Sequence, residues 1–323
     1  MTIAAYFNPH GSPESFLRLM DTFPGLEMRV AEGGGAPLQA ALAGAEVLIT
    51  TNRAYSAENA ATIRAHGASL RWIQFLTSGI DKAQGNGLPK GVTVTNVAGL
   101  RAFAVAEHGM FLLLGLMRRV RLTERARAQG AWSRDAVTPM LDNLAGKRLL
   151  ILGCGAIGQE IARKAKAFDM RVTGVTRASG PLDHFDALLP RERLIEAAAD
   201  CDALMVAAGY DEATHAIVSR AVIDALPARA MLVNVARGLI VDETALVDAL
   251  REKRIAGAGL DVMEEEPLPP DHPLWSMDEA LITPHIAGAG GPGIGASHAS
   301  MFADNLRRWR AGERLDKICV ERV

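Results

Sequence analysis

Arg148-Leu149-Leu150-Ile151-Leu152 runs directly into Gly153-Cys154-Gly155-Ala156-Ile157-Gly158, and Gln159 to Phe168 continues as a helical segment. A short apolar run of this kind predicts a strand buried on both faces. The loop that follows is a Gly-x-Gly-x-x-Gly sequence, and its chemistry demands backbone without side chains. The first glycine permits a tight turn, the second lets a diphosphate approach, and the third lets helix and strand pack closely. The helix N-terminus then presents unpaired N–H groups to an anion. Strand, loop and helix in this order predict a dinucleotide site at Gly153, Gly155, Ala156, Ile157 and Gly158.

Outward from this loop the same alternation continues. Arg171 to Val175, Ala203 to Ala207, Met231 to Val235, Gly257 to Leu260 and Leu281 to Thr283 read as strands separated by helical segments, which predicts a doubly wound half. Before it, Ile3 to Phe7, Val47 to Thr50, Trp72 to Leu76 and Val92 to Thr95 read as strands between the Ala-rich segments Ala36 to Ala43 and Ser56 to His66. These predict a second parallel sheet. Arg101 to Gln129 reads as one long helix, apolar on nearly every side from Phe103 to Met117 and therefore buried all round, which joins the two halves. A last helix, Ala296 to Arg310, is positioned to return to the first domain and make it discontinuous.

Composition narrows the functional classes. The 323 residues are 49% apolar and 22% charged with a formal net charge of −2, so a substantial core is expected and a nucleic-acid face is not. The pairs Arg118-Arg119 and Arg307-Arg308 read as solvated helix ends. The N-terminal MTIAAYFNPHG has no basic residue before its apolar stretch and fits a first strand, not a secretory signal. Ala280 to Ala303 is uncharged but broken by Pro284 and Pro292, so no membrane helix is expected. Cys154, Cys201 and Cys319 lack close pairing or CxxC spacing, which argues against disulfides and a metal site and fits a reducing cytoplasm.

Cofactor choice turns on the end of the second strand of the doubly wound half. Domains of this type that select NAD usually carry an acid there for the ribose hydroxyls, but here Thr176 and Arg177 occupy the place. A neutral Thr followed by a guanidinium suits a 2′-phosphate, so NADP(H) is favoured, with NAD(H) possible. The alternative is that Arg177 stacks on adenine or points to solvent.

Three further segments carry chemistry: Asn234-Val235-Ala236-Arg237-Gly238, Leu260-Asp261 through Glu264-Glu265-Glu266-Pro267-Leu268, and Thr283-Pro284-His285-Ile286-Ala287-Gly288. Their order and spacing resemble the D-isomer-specific 2-hydroxyacid dehydrogenase family, as do Thr77-Ser78-Gly79-Ile80-Asp81, Val105-Ala106-Glu107-His108 and His272-Pro273-Leu274-Trp275. The resemblance implies an α/β fold of two doubly wound domains with parallel sheets. A Rossmann dinucleotide-binding domain would span 101–287, and a discontinuous flavodoxin-like substrate domain 1–100 plus 288–323. It implies catalytic roles for Arg237, Glu266 and His285, and reversible reduction of a small 2-oxo acid such as glyoxylate or hydroxypyruvate to a D-2-hydroxy acid.

The residue types suit that chemistry. A guanidinium holds the substrate carboxylate by paired charged hydrogen bonds, while an imidazole gives and takes the proton at the oxygen. Glu266 would hydrogen-bond the ring, stabilise the imidazolium and raise its pKa. By the same resemblance Asp261 would accept from the nicotinamide carboxamide, although a strand-end Asp equally caps a loop. Val235, Ala236 and Gly288 fall among the expected cofactor contacts. Ser78 and Gly79 match the loop whose amides hold the substrate carboxylate, with Leu76 as a wall, against the alternative of a simple turn.

Departures from the family pattern are visible too. Ala207 to Thr214 replaces a Pro-containing stretch, and Gly209 should loosen that turn. Gly288 to Gly295 is glycine-rich enough for a hinge, a lid or a plain connection. Other substrates within the family remain alternatives: a bulkier 2-oxo acid, formate, phosphite or 3-phosphoglycerate. A cofactor-sensing corepressor-like protein is the alternative outside enzymes, without the extended tails that such a role predicts. The apolar helix exceeds what a joint needs, so a homodimer is expected by analogy.

Overall fold

The computed structural model describes residues 1–6, 23–177, 180–290 and 294–321. Phe7 and residues 291–293 of the glycine-rich link lie outside them. Two compact units emerge, 1–100 with 290–323 and 101–289. The return crossing follows Ala289 and not residue 287, because Gly288 packs against Arg101 and Val105 and its carbonyl accepts from Arg101 Nη1 at 2.5 Å.

In chain order the elements of the first unit begin with β1 (Thr2–Tyr6), β2 (Glu27–Ala31), α1 (Ala36–Leu42), β3 (Val47–Thr50), α2 (Ala57–His66), β4 (Trp72–Phe75), α3 (Asp81–Asn86) and β5 (Thr93–Thr95). Local chemistry sets the boundaries: a proline opens α1, and Ser56 Oγ caps α2 by accepting the Asn59 N–H at 3.2 Å. The second unit holds α4 (Ala102–Met117), α5 (Val120–Ala128), α6 (Arg134–Val137), β6 (Arg148–Leu152), α7 (Ala156–Ala167), β7 (Arg171–Val175), β8 (Ala187–Leu189), α8 (Leu194–Ala199), β9 (Ala203–Val206), α9 (Arg220–Ala225), β10 (Met231–Asn234), α10 (Glu243–Arg251), β11 (Gly257–Leu260) and β12 (Ala280–Ile282). The chain then returns to the first unit with α11 (Ile294–Ala311) and β13 (Ile318–Val320).

The first unit's sheet has the order β13-β5-β4-β3-β1-β2, parallel throughout except that β13 pairs antiparallel with β5. That antiparallel edge departs from the expected all-parallel sheet. The 2-1-3-4-5 core is nevertheless the flavodoxin-like order. Trp72, Phe75 and Tyr55 are fully buried here, and Trp72 stacks on Phe302 with ring centroids 5.1 Å apart. This contact brings the returning α11 onto the sheet as the sequence predicts.

The second unit's sheet runs β12-β11-β10-β9-β6-β7-β8, all parallel. Counted from β6 this is the 3-2-1-4-5-6 Rossmann order with one more strand, and the reversal falls between β6 and β9. Every loop that leaves a strand's carboxyl end therefore emerges on one edge.

Two expectations for the joining helix fail. The chain breaks at Arg119, whose φ of 52° is left-handed, so α4 and α5 are separate. Nor is α4 buried all round. Leu112, Leu113 and Leu116 are buried, each contributing about 2 kcal/mol, whereas Phe103 and Phe111 are 58% and 48% exposed. These two lie eight positions apart with exposed Glu107 between them, so they mark one outward stripe. No described helix is long and apolar enough to cross a membrane.

Candidate active site

The loop after β6 behaves as its sequence predicts. Gly153 has φ 96°, and a Cβ there would lie 2.5 Å from the Ala208 backbone; one on Gly158 would meet the Gly153 carbonyl oxygen at 2.1 Å. A Cβ on Gly155 would meet nothing within 4 Å, so open space lies beside the start of α7. Gly155 caps that helix without any side-chain hydrogen bond, which leaves its first-turn N–H groups directed at that space. These residues fit a diphosphate. Cys154 lies beneath, its thiol pushed up to about 11 by burial, with a Thr176 hydrogen bond acting the other way.

At the carboxyl end of β10, Asn234 shapes the turn that carries Arg237. Its Oδ1 accepts the Ala236 N–H at 3.0 Å, and its Nδ2 donates to the Arg237 carbonyl at 2.8 Å. Val235 and Ala236 are buried. Gly238 follows because nothing larger fits: a Cβ would lie 1.9 Å from the Met263 carbonyl. That close approach brings the Arg237 turn onto the loop leading to Glu266.

Glu266 Oε1 accepts the Met263 N–H at 3.2 Å, and Oε2 lies 2.6 Å from His285 Nδ1. Burial pushes the Glu266 carboxyl up, but His285, the Met263 N–H and the charge of Arg237 outweigh it and hold the group below the usual carboxylate range. Arg237, Glu266 and His285 thus gather on one edge of the sheet, the ring and carboxylate in direct contact and the guanidinium close enough to act on the carboxylate.

His285 itself is held from behind. Asp261, 1% exposed, receives the Ile286 N–H (2.9 Å) and the Thr283 hydroxyl (2.7 Å) on Oδ1 and the Ala287 N–H (2.8 Å) on Oδ2. With these three bonds Asp261 caps the loop that carries His285. His108 Nε2 reaches the same group, 2.8 Å from Thr283 Oγ1 and 3.4 Å from Asp261 Oδ1. Sequence reading left His108 and Thr283 without a role, because neither carries a signal until α4 and the loop after β12 meet.

Thr176 and Arg177 follow β7, with Arg177 Nη2 3.9 Å from Asp211 Oδ2. The turn expected to be loose at Gly209 is tied instead: buried Thr214 donates to the Gly209 carbonyl at 3.0 Å and accepts the Asp211 N–H at 2.6 Å. Leu76, Ser78 and Gly79 belong to the other unit, at the carboxyl end of β4. There the Thr77 hydroxyl donates to the Gly79 carbonyl at 2.9 Å, and Asn96 Nδ2 donates to the Ser78 carbonyl at 2.7 Å.

Residues 110–287 match the family model described as D-isomer specific 2-hydroxyacid dehydrogenase, NAD binding domain. The chain belongs to this family. It is a nicotinamide-dependent oxidoreductase. A glyoxylate reductase of Korarchaeum cryptofilum is 34% identical over 230 residues, 69% of this chain and 68% of that one. A glyoxylate/hydroxypyruvate reductase A of Arabidopsis thaliana is 33% identical over 248 residues, 76% of this chain and 77% of that one. Among solved structures, a D-isomer specific 2-hydroxyacid dehydrogenase from Xanthobacter autotrophicus Py2 in complex with NADPH and MES aligns with a TM-score of 0.83 at 26% identity, covering 99% of this chain and 98% of that one. Small 2-oxo acids are the substrates named for these reductase relatives.

Proposed function

We propose that this protein reduces glyoxylate, hydroxypyruvate or a closely related 2-oxo acid to the D-2-hydroxy acid, with NADP(H) favoured over NAD(H). The observation that carries the reading is the 2.6 Å contact of Glu266 with His285 beside the charge of Arg237. The relatives acting on glyoxylate and hydroxypyruvate support the substrate class.

When bound, the nicotinamide supplies the hydride to the carbonyl carbon. Arg237 anchors the acid's carboxylate by paired N–H bonds and polarises the ketone. His285 donates Nδ1–H to Glu266, which orients the ring and leaves Nε2 to pass its proton to the ketone oxygen as negative charge develops there; oxidation returns that proton to Nε2. Because Glu266 is held below the usual carboxylate range, it is ionised near neutral pH and offsets the charge of an imidazolium beside it. Asp261 keeps the His285 loop in place. Ser78 and Gly79 supply backbone amides to the substrate carboxylate, with Leu76 as an apolar wall, and Val235, Ala236 and Gly288 contact the cofactor.

Cofactor preference rests on Thr176 and Arg177 in place of an acid, and a neighbour solved with NADPH supports it. The proposed partner is a second copy of the chain, meeting the outward stripe of α4. A cytoplasmic location accords with three free cysteines.

Turnover measured on a panel of 2-oxo acids with NADPH and NADH tests this reading. His285→Ala lowers kcat by at least about 100-fold while NADPH affinity changes little; equal losses in both would remove the proton-transfer role. Thr176→Asp with Arg177→Ala moves preference toward NADH, and an unchanged preference would overturn the account of cofactor choice.

A further inference from the structure

A cavity of about 500 Å³ opens beside the ends of β7 and β8, lined by Thr176, Arg177, Leu189, Pro190, Arg191 and Glu192 among others. The two strand ends are joined by the Thr176 N–H donating to the Leu189 carbonyl at 3.0 Å. Both guanidiniums face one loop: Arg177 Nη2 stands 3.9 Å from Asp211 Oδ2, and Arg191 Nη1 donates to the Ala213 carbonyl at 3.1 Å. Arg177 is 74% exposed, whereas Arg191 is half-buried and tethered.

Arg177 alone faces Asp211 and Glu192, which leaves its surroundings one negative charge in excess and repels a phosphate carrying nearly two. Arg191 removes that excess and adds a second fork of donors at a site already ordered by its carbonyl bond. We propose that Arg191 is the second cation holding the 2′-phosphate of NADP(H), a specificity-determining residue alongside Arg177. This rests on the reading that NADP(H) is favoured.

Titration calorimetry on the full chain with 2′,5′-ADP and 5′-AMP tests it, comparing the unaltered protein with Arg177→Ala, Arg191→Ala and Arg191→Lys. The unaltered protein binds 2′,5′-ADP more tightly than 5′-AMP. Arg191→Ala loses about tenfold in 2′,5′-ADP affinity, keeps 5′-AMP affinity within about twofold, and Arg191→Lys recovers part of the loss. A 2′,5′-ADP preference abolished by Arg177→Ala but untouched by Arg191→Ala overturns the role of Arg191 and leaves the NADP(H) reading standing. Equal losses for both nucleotides overturn it as well, because Arg191 then only holds the loop at Ala213. No preference in the unaltered protein removes the NADP(H) reading itself.

Discussion

His285 has a φ of 54°, a left-handed conformation uncommon outside glycine, at the residue proposed to move the proton. Its own N–H donates to the Asp261 and Thr283 carbonyls at 2.8 and 3.0 Å, and the Asp261 carboxylate takes the next two amides. A non-glycine residue stays in such a conformation only where its surroundings over-determine it, and Asp261 supplies that restraint. Asp261→Asn places an amide NH2 where an oxygen now accepts, so one loop N–H loses its partner. We expect a stability loss of about 1–3 kcal/mol and a fall in kcat of at least about tenfold, read by thermal melting and steady-state rates. Unchanged kcat in the folded variant would remove the positioning role. The residue types Arg, Glu and His were legible because each sits in a short recognisable segment. The bonds of Asp261 were not, since its partners lie more than twenty positions away along the chain.

Elements with long apolar runs were the legible ones. β6, β7, β9, β10 and β11 are bounded nearly as their sequences predict, because a central strand covered on both faces must be apolar throughout. β2 (Glu27-Met28-Arg29-Val30-Ala31), β8 and β13 escaped notice. They lie at sheet edges, are short or carry charge, and offer no such run. At the opposite edge of the Rossmann sheet from the candidate site, Asp202 ties strand starts together. Its Oδ2 accepts the Arg148 N–H at 2.8 Å, and its Oδ1 accepts Arg229 Nε at 2.6 Å. Burial acts to raise its pKa, but the bonds from Arg148 and Arg229 prevail and hold it at about 2. A depressed carboxylate pKa stabilises the fold above the unfolded value, near 4, and that contribution fades as pH falls toward 2. We therefore expect Asp202→Asn to cost about 1–2 kcal/mol at neutral pH after allowance for solvent screening, and the difference to close between about pH 4 and 2 in urea melts. A gap independent of pH across that window would contradict the assignment.

For the whole molecule, Phe103 and Phe111 form an exposed apolar stripe on α4, where we expect a second copy of the chain to dock. Sedimentation of the unaltered protein should give a dimer and Phe111→Glu a species shifted toward monomer, since a carboxylate in an apolar contact loses its hydration. A monomeric unaltered protein would refute the pairing. The sequence by itself determined the doubly wound architecture, the tight glycine turn after β6 and the segments bearing Arg237, Glu266 and His285, because apolar runs and glycine spacing act over a few neighbouring residues. Only the tertiary structure decided where α4 breaks, which face of it stays in water, and that Glu266 reaches the imidazole while Asp261 braces its loop. It also brought Arg191 to the cavity of Arg177. Those outcomes depend on side chains meeting across separate strands, and distances of that kind are set by the packing of the sheet and not by local sequence.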